Sequence, residues 1–165
     1  MVLIDIETTG LRASKDKILA VAAAVLDVKG NILDPGIIDY LVDVHEEHWS
    51  DFEPTLPLIG QMVDFPETAT PIEQVDNELC QFIDLVANGN PMWVGNAIWF
   101  DRPFVRAQLP KFEKRMGEIE LDLRGLAEWF AWRGIDCRPL DQSYDPKTDV
   151  TDMARNLQEM LRGLR

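Results

Sequence analysis

Three apolar segments of strand length open the chain and set what it can fold into. They are Val2–Ile6, the longer and almost wholly apolar run Ile18–Val28, and Ile37–Val44, which alternates back out. Lys29-Gly30-Asn31 supplies turn chemistry, so the first half reads as a three-stranded meander. Residues 45–70 are polar and rich in Pro and acidic groups, and are expected to form a loop with a short helix. Thr70-Pro71-Ile72-Glu73 has the form of a capping box with Pro at the first helical position. Ile72, Val75, Leu79, Phe82, Ile83 and Val86 then follow at helical spacing, and Asn88-Gly89-Asn90-Pro91 stops that helix. Met92–Val94 is a short buried strand, with helices near Pro103–Leu109 and Leu123–Trp132. A last helix starts near Asp149, where Val150, Met153, Leu157, Met160, Leu161 and Leu164 keep one face apolar. Strands followed by helix–strand–helix–helix predict an α/β fold, a mixed sheet flanked by helices.

A chain of 165 residues suits one well-buried domain, taken as residues 1–165. Its 46% apolar and 27% charged residues are those of an ordinary soluble globular protein, and no run is long and apolar enough to predict a membrane span. The strand beginning at Val2 leaves no room for a signal peptide, so a cytoplasmic location is expected. Cys80 and Cys137 lack metal-ligand spacing; Cys80 falls on the apolar stripe of a helix and reads as a buried free thiol. A formal charge of −13 argues against coating nucleic acid by phosphate neutralisation alone. It leaves open a nucleic-acid enzyme, because carboxylates that hold divalent cations make a locally positive site.

Three segments carry chemistry. In Asp5-Ile6-Glu7-Thr8-Thr9-Gly10-Leu11, strand residues two apart share a face, so Asp5 and Glu7 present paired carboxylates while Ile6 turns to the core. Such a pair repels itself beside an apolar strand unless a cation compensates it, and hard oxygen ligands suit Mg²⁺ or Mn²⁺. Gly10 permits close approach of a ligand; the bland alternative is a strand that merely ends in acidic residues. In Trp93-Val94-Gly95-Asn96-Ala97-Ile98-Trp99-Phe100-Asp101-Arg102-Pro103, a strand ends and Asp101 opens a helix, either as a ligand or simply as its N-cap. Trp99 and Phe100 could stack on a base, though core packing is the commoner use of such aromatics. In Tyr144-Asp145-Pro146-Lys147-Thr148-Asp149-Val150-Thr151-Asp152, Asp149 begins the final helix, and an acidic helix start is the plain alternative. A calcium loop fits poorly, since the alternating oxygens and central Gly are missing.

In this order and at these separations the segments resemble the DnaQ-like (DEDD) 3′→5′ exonucleases of the ribonuclease H-like fold, and most of all the oligoribonucleases. The resemblance covers most of the chain, weakly over residues 45–90. It implies a mixed five-stranded sheet flanked by helices and the ligands Asp5, Glu7, Asp101 and Asp149 for two Mg²⁺ or Mn²⁺ ions, about 3.5–4 Å apart across a scissile phosphate. It implies that Thr8, Thr9, Gly10 and Leu11, with Asn96, receive the terminal nucleotide, Leu11 wedging against its base. Where the oligoribonuclease-like branch has a general-base His, this chain has Tyr144; His45 and His48 match no motif. A sister branch uses Tyr with a four-residue step, whereas Tyr144 stands five residues before Asp149. Phenols, with a reference pKa of about 10, are poor bases at neutral pH, but a phenol hydroxyl can position water that a cation activates.

The expected function is therefore metal-dependent 3′→5′ trimming of short RNA or single-stranded DNA to nucleoside 5′-monophosphates, with no membrane partner. Homodimerisation, common in the similar family, could use Trp129–Trp132. Arg102 could contact phosphate or stand solvated at a helix start. The missing His also supports a second reading, a catalytically silent ribonuclease H-like module that binds an oligonucleotide or a protein. A purely structural acidic domain leaves Asp5 and Glu7 unexplained.

Overall fold

The computed structural model describes residues 1–44, 68–87, 89–135 and 143–163. The expected loop and short helix over 45–70 therefore fall almost wholly outside the described residues, as do His45, His48, Cys137 and Leu164. Strands β1 (Val2–Thr8), β2 (Ile18–Leu26) and β3 (Ile32–Val42) form the antiparallel meander. They are followed by β4 (Ala69–Thr70), α1 (Ile72–Val86), β5 (Trp93–Gly95), α2 (Ile98–Gln108), α3 (Pro110–Glu113), β6 (Glu120–Asp122), α4 (Leu123–Trp132) and α5 (Pro146–Gly163). Among the described residues the sheet has six strands in the order β4-β3-β2-β1-β5-β6, with β1–β5, β5–β6 and β3–β4 parallel.

Six strands replace the expected five, because β4 is two residues long and leaves no periodic signal in the sequence. Thr70 lies in that strand and the expected capping box does not form: the cap is Pro71, with no side-chain hydrogen bond, and its carbonyl accepts from the Gln74 and Val75 N–H groups. Helix α2 begins at Ile98, five residues before Pro103, so Pro103 lies inside it and not at its start. Helix α5 begins at Pro146, three residues before Asp149. Cys80 is half-buried at the margin of the core, not fully buried, and desolvation raises its thiol pKa.

Strands β1 and β2 are buried along their whole length, which places them at the centre of the sheet with helices on both faces. Val2, Ile4 and Ile6 point to one face, where Val75, Leu79, Phe82 and Ile83 of α1, Phe104 and Val105 of α2, and Phe112 of α3 cover them. Leu3 points to the other, against Val150, Met153, Ala154 and Leu157 of α5. Period-two alternation carries Asp5 and Glu7 onto that same α5 face. Their cross-strand partners there are small: Asp5 pairs with Ala22 and Glu7 with Ala20. Alanines at these positions let α5 lie close to the sheet and leave room for the two carboxylates.

Substituting Ala22→Leu should overpack this interface and cost about 1–3 kcal/mol of stability. It should also weaken divalent-cation binding, read as the Mn²⁺-induced shift in thermal midpoint; an unchanged shift would mean that α5 does not depend on the small residues beneath it.

Candidate active site

Three acidic side chains converge where β1 ends, and a fourth couples to them electrostatically. Asp5 and Glu7 come from β1, Asp101 from the first turn of α2 and Asp149 from the first turn of α5, and all are buried, at 4–8% exposure. Oxygens of Asp5, Glu7 and Asp149 lie within 4.8 Å of one another. Asp101 joins them electrostatically: its charge raises the pKa of Asp5, and that of Glu7 raises the pKa of Asp101.

The pKa shifts share a direction and a leading cause. Burial lifts Asp5 well above the carboxylate range, and Asp101, Glu7, Asp149 and Asp145 add to it. Burial, then Glu7 and Asp122, do the same for Asp101. Glu7 is pushed up to about 7 by burial, then by Asp149 and Asp145. Asp149 is raised by burial, opposed by its hydrogen bonding to Ser143.

The fifth buried carboxylate of the described residues, Asp76, shows how this protein accommodates such a group unaided: it accepts from the Lys111 and Phe112 N–H groups at 3.1 and 2.8 Å. The cluster receives far less. Asp149 Oδ1 accepts from the Ser143 N–H at 3.0 Å, and Asp101 Oδ2 is buried with no hydrogen-bond partner among the described residues. No described Lys or Arg forms an ion pair with any of the four. An orphaned carboxylate oxygen within an all-oxygen, all-acidic donor set fits a hard divalent cation such as Mg²⁺ or Mn²⁺.

The remaining expected residues lie around this cluster. Thr8 is buried and its Oγ1 donates to the Gly10 carbonyl at 2.6 Å. Thr9 is fully buried and holds the loop: its N–H donates to the Lys17 carbonyl at 2.8 Å, and its Oγ1 accepts from the Lys17 N–H at 2.9 Å. At Gly10 a Cβ would fall 2.6 Å from the Asp16 carboxylate, which accepts from the Arg12 N–H, so a side chain there would displace that carboxylate. Leu11 is 70% exposed, and Asn96 is half-buried on the turn between β5 and α2. Tyr144 is 37% exposed, with φ of 56°, and its hydroxyl makes no hydrogen bond to a described residue.

Three expectations change. Asp101 does not cap α2; that position belongs to Ala97, with φ of 61°. Trp99 and Phe100 divide, Trp99 being 69% exposed and Phe100 packed on the core. Arg102 is neither solvated nor free for phosphate: it pairs with Glu120 and Glu118 and lies over the Trp93 ring at 5.5 Å. Sequence reading also missed Asp145 as the cap of α5. Its carbonyl accepts from the Asp149 N–H at 3.0 Å and its carboxylate accepts from Thr148 Oγ1 at 2.5 Å. Asp145 followed by Pro146, a cap residue before a proline suited to the first helical position, was the signal for it.

A family model described as "Exonuclease" (RNase_T) matches residues 2–149. Among curated relatives, the oligoribonuclease of Corynebacterium diphtheriae is 26% identical over 135 residues, covering 78% of this chain and 63% of that protein. The mitochondrial oligoribonuclease of Mus musculus is 24% identical over 169 residues, covering 93% and 65%. The chain thus spans less than two thirds of the length of these relatives. Among solved structures, the nuclease domain of 3′hExo, a DEDDh family member bound to rAMP, superposes with a TM-score of 0.69 at 16% identity, over 98% of this chain and 91% of that one. The zinc-bound E. coli ExoI–ssDNA complex gives 0.70 at 13% identity, over 95% and 39%.

The raised carboxylates make a pH prediction with a definite sign. Glu7 titrates near 7 when folded and near its ordinary 4.5 when unfolded, so between these values the folded chain holds the extra proton. Its contribution is present below the lower value and is lost as pH rises through the upper one. In EDTA the thermal midpoint should fall between about pH 5 and pH 8 by this linkage, and Mn²⁺ should restore it at the upper end.

Proposed function

Because the chain belongs to the exonuclease family whose model spans residues 2–149, we propose that it is a metal-dependent 3′→5′ exonuclease. In this reading it hydrolyses phosphodiester bonds of short RNA or single-stranded DNA and releases nucleoside 5′-monophosphates. The observation that carries the proposal is the convergence of Asp5, Glu7 and Asp149 within 4.8 Å, with Asp101 coupled to them and one of its oxygens left without a partner.

Asp5, Glu7, Asp101 and Asp149 would hold two Mg²⁺ or Mn²⁺ ions. Such ions supply Lewis-acid activation of a water and charge neutralisation at the departing 3′ oxygen. The protein's own part is to fix the donors. The Ser143 N–H orients Asp149, and the Thr9–Lys17 hydrogen bonds hold the loop that follows β1. Leu11, exposed on that loop, would wedge against the terminal base, while the Thr8–Gly10 backbone and Asn96 contact its sugar and phosphate. Tyr144 Oη would orient the attacking water by hydrogen bonding. Its place in the chain supports this, since the segment that presents it also presents Asp149, held by hydrogen bonds between Ser143 and Asp145. Self-association through α4 belongs to the same reading: Trp129 and Trp132 are 43% and 83% exposed there. We read residues 1–165 as one exonuclease domain.

With a 3′-labelled oligonucleotide and Mn²⁺, the protein should release mononucleotides one at a time, and EDTA should stop it. Asp101→Ala should lower the rate about a hundredfold or more, since a ligand of the site is removed. Full activity in that variant would falsify the assignment. Dinucleotides, longer RNA and single-stranded DNA compared under these conditions identify the preferred substrate.

Tyr144→Phe should lower kcat about 10–100-fold with little change in KM, as expected for loss of a group that positions water. Tyr144→His should keep or raise the rate near neutral pH. Equal rates for Tyr and Phe would remove Tyr144 from the mechanism.

A further inference from the structure

Helix α2 carries Asp101 in its first turn yet has no cap of its own. Its N-cap, Ala97, stands in the left-handed region at φ 61° and ψ 44°, and no side chain from the adjoining residues closes the helix end. The Ile98 N–H instead donates to Asp122 Oδ2 at 3.2 Å, from a residue 24 positions later in the chain. The other oxygen of the same carboxylate is also occupied: the Gly125 N–H donates to Asp122 Oδ1 at 3.0 Å, closing the start of α4. One half-buried carboxylate thus joins the N-termini of two helices, at the point where β6 pairs Asp122 with Gly95. Gly95 is in turn confined by Ile98 and by the Ile4 carbonyl, so the start of α2 is packed against β1, one residue before Asp5.

We infer that Asp122 is a positioning residue: by bonding the first amide of α2 it sets where Asp101 stands relative to Asp5 and Glu7. The inference rests on the metal-dependent reading proposed above. An N-terminal amide with no partner lets the first turn of a helix fray, and Asp101 has no hydrogen bond of its own on Oδ2 to hold it. Arg102, next in the chain, anchors the following turn through Glu120 on β6, so β6 fixes α2 at both points.

Asp122→Asn separates this role from simple capping. Asn caps a helix about as well as Asp, so α4 should remain closed and the thermal midpoint in EDTA should fall less than in Asp122→Ala. Its single carbonyl oxygen cannot also serve the Ile98 N–H, because the second position now bears an NH₂ group. The expected result, at about pH 8, is a roughly tenfold higher Mn²⁺ concentration at the midpoint of the Mn²⁺-induced thermal shift, with a parallel rise in the Mn²⁺ needed for activity. Asp122→Ala should show at least the same rise together with lower stability. Leu126→Ala, which loosens α4 without touching Asp122, serves as the stability control and should bind Mn²⁺ like the wild type. If Asp122→Asn binds Mn²⁺ as the wild type does, or Asp122→Ala matches the control, the inference is overturned while the exonuclease reading stands. A wild-type protein that shows no Mn²⁺ shift overturns both.

Discussion

Like charges held out of water govern this structure. Transferring one carboxylate from water to a protein interior costs several kcal/mol unless hydrogen bonds or an opposite charge compensate it, and neighbouring carboxylates add mutual repulsion. Asp76 shows the ordinary remedy, with two backbone amides donating to one buried carboxylate. At the end of β1 four buried carboxylates receive one backbone amide among the described residues, that of Ser143. Without an external cation the cluster must take up protons, which is the physical content of the raised pKa values of Asp5, Glu7, Asp101 and Asp149. Bound positive charge of any kind, proton or metal ion, would relieve that repulsion.

The surrounding architecture positions those groups. Alternation along β1 sorts Ile4 and Ile6 to one face and Asp5 and Glu7 to the other, and the alanines of β2 admit α5 close enough to deliver Asp149. The two helices that carry Asp101 and Asp149 start alike. Each follows a non-glycine residue in the left-handed region, Ala97 before α2 and Tyr144 shortly before α5. Such backbone costs of order 1–3 kcal/mol and persists where surrounding contacts enforce it, often at functional sites. Those contacts are visible here: Asp122 on the Ile98 amide, and the Ser143–Asp145 hydrogen bonds beside Tyr144.

Much of this was legible in the residues because it depends on local periodicity. Asp5 and Glu7 two apart on a strand must share a face, and the stripe from Val150 to Met160 must bury one side of α5. Helix starts were read less well. Pro103 suggested a first helical position, but α2 had already begun at Ile98 under a cap supplied from a distant strand, which no local pattern encodes. The same blindness to long-range contacts hid Arg102, whose role depends on Glu120 and Trp93 meeting it from other strands. Strand β4 was invisible for a different reason: two residues cannot display a period.

The acidic balance of the chain follows from the same electrostatics. With a formal charge of −13, and with Arg102 committed to its own glutamates, little of this protein attracts a polyanion over a long track. In the proposed reading, attraction would concentrate at the cation site, which favours one strand end over coating of many phosphates. Divalent cations held by the cluster would also couple folding to binding, stabilising the fold by RT ln(1 + [L]/Kd) and offsetting the repulsion among the carboxylates.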